Sequence, residues 1–262
     1  MKILFLTQFF QPEPMFKGLP FARALRERGH DVEVLTGFPN YPGGKIYPGY
    51  RVRPFRREEI DGITVNRVPL YPSHDLSPAR RIANYLTFGA SSAALGPWVT
   101  RQADVVYVYN LVTLSATWRI LRELRGSKIV LDVQDLWPES VFASRMMGNG
   151  VLGRLLREGC RRAYRSADRI TVLSEGFKRH LVSLGVEADR VEVIHNWCDE
   201  HAVIMTDTQS ADLRRRVGFV GRFNVLFAGT MGKAQALDAV IEAARRIESV
   251  APHVLFTFVG GG

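Results

Sequence analysis

The chain has 262 residues, 46% hydrophobic and 23% charged, which is the composition of a globular protein with one large domain or one domain and part of another. Its formal net charge of +9 calls for an anionic partner: nucleic acid, an anionic membrane surface or a phosphorylated substrate. Two cysteines, Cys160 and Cys198, exclude a disulfide framework or a cysteine metal cluster and fit a reducing cytoplasm, and no apolar run reaches the length of a membrane-spanning helix.

The first elements follow Met1 directly, with strand-like sequence where a signal peptide would carry an apolar leader. KILFLT reads as a short buried strand and Gln8–Gly18 as a turn-rich loop. Leu19, Phe21, Ala22 and Leu25 then recur at helical spacing, with Gly29 as the stop and Arg23, Arg26 and Arg28 toward the end that favours cations. DVEVLTG is a second buried strand. Strand, helix and strand make a βαβ unit, with parallel strands and a right-handed crossover. Such sheets bind ligands at the carboxyl ends of their strands, so Gln8–Gly18 is expected to face a ligand.

A long irregular stretch rich in Pro, Gly and Tyr follows, with the turn Asp61–Gly62 leading into the strand ITVNRV. Ala79–Thr100 is helical, DVVYVYN a strand, LSATWRILRELRG a helix ended by Gly126, and KIVLDVQD a strand leading to the loop LWPES. VLGRLLREGCRRAYRSA is a strongly basic helix, DRITVLS a strand, EGFKRHLVSLG a helix stopped by Gly185, and RVEVIHN a strand. The alternation predicts an α/β fold with a doubly wound parallel sheet. The polar stretch around Cys198–Gly221 has no clean period, and FNVLFAGT, MGKAQALDAVIEAARRIESVAP and HVLFTFVGGG then give a further strand, helix and strand. A lone βαβ unit cannot cover its own sheet. The expected organisation is therefore a domain over 1–200, a linker over 201–221 and an incomplete second Rossmann-like domain over 222–262.

The first loop has no GxGxxG; its only glycine is Gly18. That argues against a dinucleotide-binding oxidoreductase, and against a nucleotide-sugar epimerase or reductase, both of which need the fingerprint. Lys17 reads either as a point charge for a phosphate or as a solvated lysine at a helix start. Arg145, Arg154, Arg157, Arg161, Arg162, Arg165 and Arg169 crowd one region with Leu152, Leu155 and Leu156 among them. This reads as an amphipathic membrane-surface helix or as the solvated face of an ordinary one. No recognised nucleic-acid motif is present, so nucleic acid is not expected as a partner.

GHDVEVLTGFPNYPGGKIYPGY, DVQDLWPES, RITVLSEGFKRHLVSLGV, VEVIHNWCD and FAGTMGKAQALDAVIEAA, in that order, resemble the bacterial family 4 retaining glycosyltransferases, in particular the WcaI/WbuB-like enzymes of colanic acid and O-antigen synthesis. The resemblance covers nearly the whole chain. It implies the GT-B fold: two Rossmann-like domains facing across a cleft, the N-terminal one holding the acceptor, the C-terminal one most of a nucleotide-sugar donor, and no cofactor or metal.

The resemblance also implies site residues. Lys17 and Gly18 match a sub-family loop ending in Lys-Gly; with Asn110, and with Asn196 of the interdomain Asn-x-x-Asp segment Asn196–Asp199, they are the substrate-binding candidates. Pro12–Glu13 stands where many relatives have a double glycine. Gln134 stands where many relatives have a histidine before Asp-Leu-Trp-Pro; it can hydrogen-bond a sugar but cannot act as a base at neutral pH. Asp135 and Glu139 are then the nearest acids, and Gln134, Asp135 and Glu139 the catalytic candidates, with Asp135 reading equally as a helix N-cap. Gly229, Gly232, Lys233 and Gly260 are the candidates for the donor phosphate, near a helix N-terminus and in the glycine turn Gly260–Gly262. Thr230 and Gln235 stand where many relatives have cations, and the acidic pair that grips the donor's ribose and sugar lies further on in the family.

The expected activity is retaining transfer from a nucleotide-sugar to an undecaprenyl-diphosphate-linked saccharide in bacterial surface polysaccharide synthesis (O-antigen, capsule or colanic-acid-like). The expected location is the inner face of the plasma membrane, with Arg154, Arg157 and Arg161 on the anionic lipid surface. This chain alone is expected to be inactive, and the alternative is a truncated, non-catalytic remnant that binds only membrane or acceptor.

Overall fold

The computed structural model describes residues 1–73, 77–110, 112–143, 150–198, 206–232 and 235–261. They form two compact units, Met1–Asn196 and Trp197–Gly262.

In the first unit, eight strands make one sheet: β1 (Lys2–Leu6), β2 (Asp31–Gly37), β3 (Arg56–Ile60), β4 (Ile63–Val68), β5 (Val105–Tyr109), β6 (Lys128–Val133), β7 (Arg169–Val172) and β8 (Val191–Val193). Their order is β3-β4-β2-β1-β5-β6-β7-β8. β3 pairs antiparallel with β4; all other neighbours in this sheet are parallel. The parallel strands are nearly continuous apolar runs because both faces are covered. Alternate residues feed two clusters: Leu4 and Leu6 join the larger, with Phe88, Trp118, Tyr164 and Leu181, while Phe5 joins Leu19, Ala22 and Val34.

The helices of this unit are α1 (Leu19–Glu27), α2 (Pro78–Val99), α3 (Ser115–Arg125), α4 (Glu139–Ala143), α5 (Val151–Ser166) and α6 (Glu175–Ser183). Pro20 lies in the first turn of α1, where its missing N–H is not needed. Gly126 stops α3 at φ 70, and its N–H donates to the Arg122 carbonyl. The Ser174 side chain caps α6 by accepting the Phe177 N–H.

The second unit holds α7 (Asp207–Arg216), β9 (Phe223–Ala228), α8 (Leu237–Ile247) and β10 (Val254–Val259), with β9 and β10 parallel. Phe223 and Leu226 of β9 are exposed.

The structure departs from the sequence expectation in three elements. β3, RREEI, has too few apolar residues to show as a strand; it is an edge strand, which tolerates charge. It forms a hairpin with β4 through Asp61 and Gly62, both at positive φ, as a two-residue turn of this hand requires. The short α4 occupies the end of the expected LWPES loop. The expected linker contains α7, which is polar all round and starts with a capping box between Thr206 and Gln209.

Candidate active site

The chain leaves β1 toward β2 on one side and continues from β5 on the other, so the strand order reverses between β1 and β5. Open α/β sheets form a crevice at such a point, beyond the carboxyl ends of the strands. A cavity of about 220 Å³ lies there. The loop after β1 gives it Thr7, Gln8, Phe9 and Met15; the loop after β2 gives Tyr41; the end of β5 gives Tyr109 and Asn110; the loop after β6 gives Asp135 and Trp137; and α2 gives Tyr85.

Five of these side chains are aromatic, and they are fixed in pairs and by anchors. Phe9 and Tyr41 lie 5.2 Å apart between ring centroids, and Tyr85 and Trp137 meet edge to face at 5.7 Å. The fully buried Tyr164 holds Trp137 by accepting its backbone N–H and donating to its carbonyl, both at 2.9 Å. Burial, with the charges of Asp132 and Asp135, pushes the Tyr109 phenol up to about 12, so it stays a neutral donor at physiological pH. Gln8 is buried; its Nε2 donates to Asn84, while its Oε1 has no hydrogen-bond partner among the described residues.

Asn110 is a clamp. It sits at φ 68, a backbone state asparagine tolerates better than most residues. Its Oδ1 accepts the N–H groups of Gln134 (3.2 Å) and Asp135 (3.0 Å), and its Nδ2 donates to Asp135 Oδ2 at 3.0 Å. The Asp135 carboxylate is thereby held at the cavity's exposed rim.

Behind the cavity lies a buried polar hub that the sequence did not single out. Asp132, the penultimate residue of the strand KIVLDV, is 1% exposed. It takes Lys17 Nζ at 2.6 Å, Gln134 Nε2 at 2.9 Å and Thr171 Oγ1 at 2.9 Å. A charge in a buried strand demands such partners, and that was the available signal.

The hub corrects several expectations. Lys17 is 2% exposed and lies in an ion pair; it does not line the cavity as a phosphate ligand or a solvated lysine would. Gly18 also lies off the cavity; a Cβ there would press on the Gln11 side chain, whose Oε1 accepts the first N–H of α1 at 2.7 Å. Gln134 is turned from the cavity, its Nε2 on Asp132 and its Oε1 accepting from Asn196 Nδ2 at 2.9 Å. Asn196 therefore meets Gln134 at the end of the first unit. Glu139 sits in the first turn of α4, 3.4 Å from His180 Nε2 and away from the cavity.

Glu13, marked in the sequence only as standing in place of a double glycine, is a further buried carboxyl. Its Oε1 accepts the N–H groups of Asn40 (2.7 Å) and Tyr41 (2.8 Å), and its Oε2 accepts that of Phe10 (2.9 Å). It ties the first loop to the loop carrying Tyr41. Burial pushes its carboxyl up to about 7, against the three N–H donors and Arg67, which hold it down.

On α5, Arg154 is exposed, Arg157 lies over the Phe142 ring at 4.5 Å, and Arg161 pairs with Glu158 at 2.7 Å. Val151, Leu152 and Leu155 stand exposed on the same helix. In the second unit, Gly229 and Gly260 lie back to back; a Cβ on Gly260 would collide with the Gly229 carbonyl oxygen. The Gly232 N–H is already engaged by Gln235 Oε1 at 3.1 Å. Arg145, Asp199, Lys233 and Gly262 lie outside the described residues.

Residues 19–197 match the family model of the glycosyl transferase 4-like domain. The chain is 26% identical over 250 residues to a protein named as the colanic acid biosynthesis glycosyl transferase WcaI of Escherichia coli K12, a match spanning 91% of this chain and 60% of that protein. Among solved structures, it is similar to Anabaena HepE in complex with UDP-glucose, with a TM-score of 0.62 and 17% identity over the whole chain and 61% of that protein. It is also similar to an Escherichia coli trehalose-6-phosphate protein bound with UDP-2-fluoro glucose, with a TM-score of 0.67 and 12% identity over the whole chain and 65% of that one. The fold shared with these neighbours is the Rossmann-like α/β architecture of GT-B glycosyltransferases.

Proposed function

The chain belongs to the glycosyl transferase 4-like family, and on that premise we propose that its first unit is the acceptor half of a retaining glycosyltransferase of bacterial surface polysaccharide synthesis. The observation that carries this is the cavity at the strand-order reversal, with its five aromatic rings and Asp135 at the rim. Sugar rings present C–H faces that pack on aromatic side chains, and hydroxyls that need oriented polar partners. Asp135 and the Asn110 amide would meet hydroxyls at the rim, and the open Gln8 Oε1 would accept one deeper in. A space of about 220 Å³ suits a single sugar unit, with the rest of the acceptor outside.

The donor is a nucleotide-sugar, a reading supported by the UDP-sugars bound to the two structural neighbours. Its phosphates would approach the glycine turns at Gly229 and Gly260 and the loop at Gly232 and Lys233. The acceptor is an undecaprenyl-diphosphate-linked saccharide, reached from an anionic membrane surface. α5 would meet that surface through Arg154, Arg157, Arg161 and the exposed Val151, Leu152 and Leu155. The proposed contact is peripheral, at the cytoplasmic face; no helix among the described residues is long and apolar enough to cross a membrane. The chain spans 60% of the length of WcaI, and by itself it is expected to transfer no sugar, because donor and acceptor must be held together to within about an ångström.

The test is retention of radiolabelled, membrane-extracted lipid-linked saccharide. The chain should retain it, and Trp137→Ala and Asp135→Asn should each lower retention. Equal retention by both variants contradicts the assignment of the cavity. Transfer from a nucleotide-sugar by the 262-residue chain contradicts its expected inactivity.

A further inference from the structure

Between Tyr50 and Arg57 the chain reads Tyr-Arg-Val-Arg-Pro-Phe-Arg-Arg, and residues 51–55 are all exposed. This stretch is an arch pinned at both ends. The Tyr50 ring lies under the guanidinium groups of Arg56 (4.5 Å) and Arg67 (4.9 Å), and its hydroxyl donates to Glu58 at 3.2 Å. Arg56 pairs with Glu58 at 2.9 Å. Arg57 donates to Asn66 at 3.0 Å and to the Val99 carbonyl at 2.7 Å, and lies over the Phe55 ring at 5.8 Å. The pinning engages Glu58, while Arg51 and Arg53 make no hydrogen bond or ion pair with the described residues. Val52 between them is 41% exposed and Phe55 37%.

A fixed backbone that holds apolar side chains outward between uncompensated cations matches a phospholipid interface. The apolar groups enter the headgroup boundary and the guanidinium groups meet phosphates. A single-stranded nucleic acid would need open ring faces for its bases, and here Tyr50 is already covered by two guanidinium groups and Phe55 by one. The arch also stands where a membrane partner is needed. Arg56 pairs with Arg67 near the carboxyl end of β4, so the arch lies at the same sheet edge as the cavity. The first turns of α5, with Leu152 and Leu155, follow the segment that leaves the carboxyl end of β6 at that edge.

We infer that residues 50–57 form a second contact for an anionic phospholipid surface, with Val52 and Phe55 entering the headgroup layer and Arg51 and Arg53 on its phosphates. The arch would act beside α5, whose own membrane role rests on the proposed lipid-linked acceptor, so the two are tested separately. Wild type, Arg51→Gln/Arg53→Gln and Arg154→Gln/Arg157→Gln are sedimented with vesicles of phosphatidylglycerol and phosphatidylcholine. The arch variant should bind about 25-fold more weakly at low salt, about fivefold for each basic residue, with an unchanged thermal melt because neither side chain holds the fold. In a Cys198→Ser background, Val52→Cys carrying an environment-sensitive dye should shift to the blue on these vesicles; Cys160 is buried and stays unlabelled. Full vesicle binding by the arch variant, or a dye that does not respond, overturns the inference, and weakening by the α5 variant alone leaves only the α5 contact. Loss of single-stranded RNA binding by the arch variant with vesicle binding intact also overturns it.

Discussion

Replacing Lys17 with methionine tests whether the first loop is fixed to β6 by a buried ion pair with Asp132. Methionine keeps most of the length and volume but removes the ammonium 2.6 Å from Asp132, where both side chains are 2% exposed. Asp132 would keep its donors on Gln134 and Thr171 but face burial without that cation. Removing one member of a buried pair costs about 3–5 kcal/mol, and the two remaining donors place this case at the low end, about 3 kcal/mol. That is a large share of the roughly 5–15 kcal/mol that holds a domain folded. Asp132→Asn removes the charge and keeps the hydrogen-bonding shape, so the double variant Lys17→Met/Asp132→Asn should recover about 2 kcal/mol or more of coupling in a double-mutant cycle. Urea unfolding followed by circular dichroism measures all four chains. A Lys17→Met loss below about 1 kcal/mol without coupling would refute the reasoning, because a surface lysine behaves that way.

Three further outcomes follow from the same contacts. Burial raises the Glu13 carboxyl to about 7 in the fold from its ordinary value of 4.5, so its stabilising contribution is full below pH 4.5 and is lost as pH rises through 7. Glu13→Gln should therefore gain on wild type across that window, by about 3 kcal/mol in total; parallel stability profiles would show a carboxylate that is ionised throughout. Asn110→Ala combines strain at φ 68 with lost hydrogen bonds and should cost about 2–3 kcal/mol, whereas Asn110→Gly relieves the strain and should cost about 1 kcal/mol less. Equal losses would mean the backbone there is unstrained. Gly260→Ala should drive the two glycine turns apart, so limited proteolysis should cut within Phe223–Val259 while Met1–Asn196 survives; an unchanged digest would contradict the close packing.

The sheet was legible because its strands are apolar runs and its helices carry apolar stripes, with stops such as Gly126 and Gly185 in view. That periodicity and the rule of carboxyl-edge binding direct the loop after the first strand to the carboxyl edge of the sheet, and Phe9 and Met15 of that loop line the cavity there. The side chains were harder to place. Lys17 looked available because its charge shows in sequence and its partner Asp132, 115 residues away, does not. Gln134 reads as a sugar ligand for a similar reason; its Nε2 is taken by Asp132 two residues back and its Oε1 by Asn196, 62 residues on, which only the fold brings near. Tyr41, Tyr85 and Trp137 come from three separate segments, and no local spacing reveals that their rings converge. β3 and α7 were missed because neither presents an apolar periodicity, although Thr206 and Gln209 did offer a capping signal.

The central claim is that the aromatic cavity takes the acceptor sugar. The direct measurement is a titration of the chain with the saccharide released from its lipid-linked acceptor, followed by NMR of the aromatic rings. The account predicts shifts concentrated on Tyr41, Tyr85, Tyr109 and Trp137, saturating together, and binding about tenfold weaker in Trp137→Ala. Saturable binding that leaves these rings unshifted, or that Trp137→Ala does not weaken, would contradict it.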